Sequence, residues 1–212
     1  MAQSQKIPQN KKRTSLSAPC LFTLRIELKP NEIQPVIWRR LEVDGRISLS
    51  KLHHFIQASF GWTDAHLHEF EIQGRTFAIP DPEDEMYGRI IEDERKVFLR
   101  RLLATEDVFL YRYDFGDNWE HDITVESFID NMEHDPRGGA LITDGARACP
   151  PEDVGGSNGY HEFLEGLLVD PYLDEAQRHW DWAGGNFDPL QFDKRIANAA
   201  ILRMLYNGWG SK

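Results

Sequence analysis

The sequence predicts an α+β fold: a roll-like, mainly antiparallel sheet packed by helices, with a helical C-terminal part. Three observations carry this. Apolar residues alternate with period two in several early and mid-chain segments. Helical spacing takes over towards the C-terminus. No strand–helix unit recurs in alternation, and no internal repeat is present.

In chain order, residues 1–19 read as a flexible basic tail, polar and broken by Pro8 and Pro19. Phe22, Leu24, Ile26 and Leu28 then share one face of a strand over 21–29. Pro30 to Pro35 forms a turn, and residues 36–43 make a second strand, with Arg39 in phase with Ile37, Leu41 and Val43. Ser48 is a natural N-cap for a helix over 49–60, which Gly61 stops. Residues 66–72 return to period two and turn at Gly74-Arg75 into 76–79. The acidic stretch 80–95 reads as a surface excursion, with a short helix around 96–104 after it.

Residues 108–115 and 119–128 form a hairpin through Gly116-Asp117-Asn118. A three-residue loop pairs Phe115 with Trp119, Tyr113 with His121 and Tyr111 with Ile123, and sets Arg112 against Asp122 on the other face. A long loop over 136–159 follows. Three helices close the chain: one marked by Tyr160, Phe163, Leu164 and Leu167, one over 174–182, and one over 188–206 with Asp188 as N-cap and Pro189 behind it. The expected organisation is a single domain over 20–208 between the tail 1–19 and a short tail 209–212.

Composition narrows the function classes. The 212 residues are 41% hydrophobic with 12 Phe, 6 Trp and 6 Tyr, enough for a real core. Charges interrupt every apolar run before membrane-spanning length, and the N-terminus lacks the apolar stretch of a secretory signal. Cys20 and Cys149 make no disulfide framework, so a cytoplasmic protein with free thiols is expected. The net charge of −11 divides unevenly: the first 18 residues carry +4, leaving 20 bases against 35 acids in the rest, a body of −15. Such a body disfavours nucleic acid as a partner, and no membrane partner is expected. Lys11, Lys12 and Arg13 are the one basic cluster that could tether the tail to nucleic acid.

Phosphate-cradling P-loops, strand-linked GxGxxG, GxSxG and HExxH are all absent. Four segments could carry chemistry. His66 and His68 have a strand spacing that suits a divalent metal, or an ordinary place at the core edge. Asp114 and Asp117 flank a glycine turn, able to hold a cation or simply to make the turn, and His121 follows on the aromatic face. Glu152 and Asp153 follow Cys149-Pro150-Pro151 and could complete a metal shell, whereas nothing beside Cys149 activates its thiol. Residues 180–189 form a further aromatic and glycine turn. Trp62, Trp119 and Tyr160 are the aromatic candidates for ligand contact.

IWRR (37–40), FGW (60–62), HLH (66–68), YDFGDNWEH (113–121), CPPEDVGGSNGY (149–160) and FDP (187–189) together resemble the plasmid pRiA4b ORF-3-like family over roughly residues 20–205. That resemblance implies an α+β roll-like domain. Family members occur on plasmids and beside insertion elements, and some carry a transposon resolvase label. No serine-and-arginine constellation or second DNA-binding unit supports that label here. Two functions follow as expectations. One is a non-catalytic binding or accessory module for a protein, peptide or small polar ligand, associated with plasmids or mobile elements and needing no cofactor. The other is a metal-assisted hydrolase or nuclease using the histidines and carboxylates of the HLH, DFGDNWEH and CPPED segments.

Overall fold

The structure, a computed structural model, describes residues 17–29, 33–86, 88–168, 181–182, 184–185 and 187–208. It is α+β. Eight strands form one sheet in the order β5-β4-β3-β6-β7-β1-β2-β8. They are β1 (Cys20–Leu28), β2 (Trp38–Asp44), β3 (His68–Ile72), β4 (Arg75–Ala78), β5 (Ile91–Asp93), β6 (Val108–Tyr113), β7 (Trp119–Asp130) and β8 (Ala140–Ala146). Every pairing is antiparallel except β4 with β5. The described helices are α1 (Leu49–Phe60), α2 (Pro82–Met86), α3 (Leu99–Leu102), α4 (Gly156–Leu168) and α5 (Lys194–Tyr206). Among the described residues no helix is long and apolar enough to cross a membrane.

The alternation in β1 places Phe22, Leu24, Ile26 and Leu28 in the core, with Leu49, Leu52, Phe55, Ile56 and Phe60 of α1 in the same cluster. Ser48 caps α1 by accepting from the Lys51 N–H at 3.2 Å, and Gly61 ends it in the left-handed conformation. The other sheet face carries a cross-strand ladder of ion pairs: Arg40 with Glu126, and Arg112 with Glu69 and Glu120. Arg39, on the core side, is buried between the rings of Phe60 and Phe192. Its guanidinium donates to the carbonyls of Ser59, Trp38 and Ala146.

Three expectations are corrected. The hairpin pairs Tyr113 with Trp119, Tyr111 with His121 and Arg112 with Glu120, so the register is displaced by two residues. The cause is a five-residue turn: Asp114 leaves the strand at φ 56°, and its side chain accepts from the N–H groups of Gly116 and Asp117. A two-residue displacement keeps the aromatic and charged faces as expected, but leaves Phe115 in the turn. The long loop contains β8, an edge strand whose only buried residue is Ile142. The last helix starts at Lys194, because Asp193 caps it and Asp188 makes a local turn to the Leu190 N–H instead. Most of the helix expected over 174–182 lies outside the described residues, as do Lys11, Lys12, Arg13 and residues 209–212.

Candidate functional site

Three loops knit together at one end of β6 and β7. After α1, Trp62 turns into the core and donates its indole N–H to the Pro150 carbonyl at 3.0 Å. The Thr63 backbone N–H donates to Glu152 Oε1 at 2.7 Å, with the Thr63 hydroxyl 3.2 Å from the same oxygen. The Ala65 N–H donates to the Tyr113 hydroxyl at 3.1 Å. From the third loop, the Gly155 N–H donates to Asp117 Oδ2 at 3.1 Å. Gly156 sits at φ 68°, and a Cβ there would lie 2.7 Å from the Asp117 carbonyl oxygen. Only glycine permits that approach.

His66 is the centre of this knot. Its Nε2 lies 3.0 Å from Asp153 Oδ1, 3.7 Å from Asp114 Oδ2 and 3.8 Å from Glu152 Oε2. The nitrogen is shielded from solvent, yet none of these contacts has hydrogen-bond geometry. Two of the carboxylates are anchored from behind. Asp114 Oδ1 takes the N–H groups of Gly116 and Asp117, which leaves Oδ2 turned to His66. Glu152 Oε1 takes the Thr63 donors, and the Tyr113 hydroxyl, 3.1 Å and 3.3 Å from its two oxygens, steadies the group. Burial first, and then the Glu152 charge, raise the Tyr113 phenol well above its ordinary range, so it remains a donor.

This donor set suits a divalent cation. Ligand atoms from His66, Asp114 and Asp153 all lie within 4.8 Å of one another. Metal–ligand distances of about 2.0–2.2 Å put ligand atoms roughly 3–4 Å apart. One imidazole nitrogen with carboxylate oxygens fits zinc or manganese better than a thiolate-seeking ion. Backbone and hydroxyl donors behind ligating carboxylates are what fixes such groups in place.

The other candidates lie elsewhere. His68 does not join His66, since β3 begins at His68 and its Nε2 meets the buried Glu94 Oε2 at 2.9 Å. Its ring stacks on that of His53, with centroids 3.4 Å apart. His121 is wholly buried among Phe60, Trp62 and Tyr111, and among the described residues neither of its ring nitrogens has a hydrogen-bond partner. Burial lowers its pKa to about 3, opposed by the backbone of Tyr111 and Trp119. Trp62 and Trp119 are core rings. Asp117 holds the third loop, and Cys149 is a buried free thiol whose pKa burial pushes up.

A second group, His53, His54 and Asp64, also has metal-like spacing. Its bonds are already closed: Gln57 donates to the Tyr111 hydroxyl, which serves His53 Nδ1, and His53 Nε2 lies 2.7 Å from Asp64 Oδ1. The Gln57 side-chain amide oxygen, Oε1, in turn accepts from the Asp64 N–H. Burial lowers the His53 pKa to about 4, so the neutral imidazole relays this chain. Sequence reasoning did not single out Tyr113, Asp64 or Glu94, because their partners come from other elements. Tyr113 alone had a signal, its place directly before the Asp114 turn.

The eight-stranded sheet defines an α+β fold, and His66, Asp114 and Asp153 gather at the turn between β6 and β7. The chain belongs to the plasmid pRiA4b ORF-3-like family, whose model matches residues 21–195. It is 35% identical over 193 residues to the uncharacterized protein y4hQ of Sinorhizobium fredii (strain NBRC 101917 / NGR234), covering 89% of this chain and 93% of that protein. The crystal structure of MM3350, a protein of unknown function from Methanosarcina mazei Go1, superposes with a TM-score of 0.73 at 33% identity, covering 86% of this chain and 98% of that one.

Proposed function

We propose that this chain is a binding module that takes a divalent cation through His66, Asp114 and Asp153, with Glu152 completing the set. One observation supports this above others: a solvent-shielded, unbonded His66 nitrogen faces three carboxylates, two of which are tied back through other contacts. An accessory role on plasmids draws support from the plasmid named in the family description. The test is calorimetric titration of chelator-stripped protein with zinc and with manganese. One saturable site is expected, with affinity lowered at least about 100-fold in His66→Ala. Absence of saturable binding by folded protein, or equal affinity in His66→Ala, overturns the proposal.

One feature favours metal-assisted hydrolysis as a second reading. The Asp153 side chain is 72% exposed, which gives a cation there a solvent-facing side for water or substrate. Metal-dependent cleavage of a phosphodiester, lost in Asp153→Asn with binding largely kept, would favour that reading over a pure binding role.

A further inference from the structure

A cavity of about 680 Å³ opens beside the first turn of α4, away from the cation cluster's ligands. Arg147 lines it and is only 6% exposed. The Arg147 guanidinium donates to the carbonyls of Pro189 and Pro35, and no carboxylate pairs with it among the described residues. A buried cation normally has a counter-ion, because burial removes the water that would otherwise stabilise it. Tyr160 lines the same cavity at 1% exposure, and its hydroxyl has no partner among the described residues. Burial pushes that phenol up to about 12, so it is a neutral donor at physiological pH.

Ser157 and Asn158, from the first turn of the 13-residue α4, complete the polar wall. Their backbone N–H groups are first-turn donors with no intrahelical acceptor, at the positive end of the helix dipole. Among the described residues no aspartate or glutamate lines the cavity, in a body that is otherwise strongly acidic. Ile33 and Leu164 give it apolar wall as well. A guanidinium with no counter-ion among the described residues, an unused phenol donor and a helix N-terminus all call for the same thing, an acceptor carrying negative charge.

We infer that this cavity is an oxyanion site, which takes the phosphate or carboxylate head of a small organic molecule and packs its apolar body against Ile33 and Leu164. Arg147 and Tyr160 donate to the head group, and the α4 N-terminus adds its dipole.

The test is calorimetric titration of the full chain with inorganic phosphate, phenyl phosphate and benzoate, at constant ionic strength and with EDTA present. EDTA removes any contribution from a cation at His66. Saturable one-to-one binding of at least one probe is expected, with phenyl phosphate tighter than inorganic phosphate. Preference for phenyl phosphate over benzoate identifies a phosphate ligand, and the reverse a carboxylate. Tyr160→Phe is the deciding variant, since it removes one unpartnered hydroxyl and leaves the ring. It is expected to keep or raise the melting temperature while weakening binding about tenfold, the worth of one charge-assisted hydrogen bond. His66→Ala is expected to bind the anion as the parent does, so failure of the cation proposal leaves this one standing. Unsaturable titrations with all three probes, equal binding by Tyr160→Phe, or loss of anion binding in His66→Ala each overturn it.

Discussion

His121 and His53 give single residues a measurable effect on the whole. Both are buried, and their pKa values fall from the ordinary 6.5 to about 3 and about 4, chiefly through burial. His121 is faced by the Arg39 charge, and His53 by Asp64, His68 and His54. The native state therefore binds fewer protons than the unfolded chain below pH 6.5. The stability these neutral rings confer is fully present above that pH and is lost as pH falls towards 4 and then 3. Urea midpoints should be flat between pH 7 and 8 and should fall steadily below pH 6.5. His121→Leu should flatten that fall. At pH 7 it should leave stability unchanged or raise it by about 1 kcal/mol, because it removes an unsatisfied polar group from an apolar site. An unchanged acid slope in His121→Leu would show that this ring does not titrate on unfolding.

At the scale of elements, the helices show how far local signals reach. Ser48 and Gly61 bound α1 as the sequence implies, since an N-cap and a left-handed glycine act within a few residues. At α5 two aspartates compete, and Asp193 wins by accepting from the N–H groups of both Arg195 and Ile196. Asp193→Ala should cost about 1 kcal/mol in chemical denaturation and Asp188→Ala clearly less. The reverse order would put the helix start back at Asp188. The hairpin gives the matching lesson for strands. Period two assigned the side chains of β6, and of β7 as far as Val125, to their correct faces, but register depends on turn length, and Asp114 lengthened the turn and left Phe115 in it. β8 lacked a signal because it is an edge strand with a glycine and one buried residue.

Across the whole molecule, the cation cluster depends on close approach between distant segments. Thr63 and Glu152 meet across 89 residues of chain. Gly156 is the tightest point, combining φ 68° with a backbone oxygen where a Cβ would go. Gly156→Ala should therefore cost about 1–3 kcal/mol. It should also weaken cation binding at His66 by displacing Glu152 and Asp153. Parent-like stability together with parent-like metal affinity would mean the loops do not depend on that contact.

The sequence by itself determined the fold class, the alternating faces of β1, β6 and β7, the limits of α1 and the family. These follow from periodicity, caps and contiguous motifs, all of which operate over a few residues. Tertiary structure alone decided which histidine meets carboxylates. His66 and His68 are two residues apart, yet one faces Asp114, Glu152 and Asp153 while the other pairs with Glu94. Among the described residues it likewise left Arg147 without a carboxylate and the Tyr160 hydroxyl without a partner. A side chain's partner depends on where distant loops close, and here a glycine at a backbone crossing and a five-residue turn set that closure.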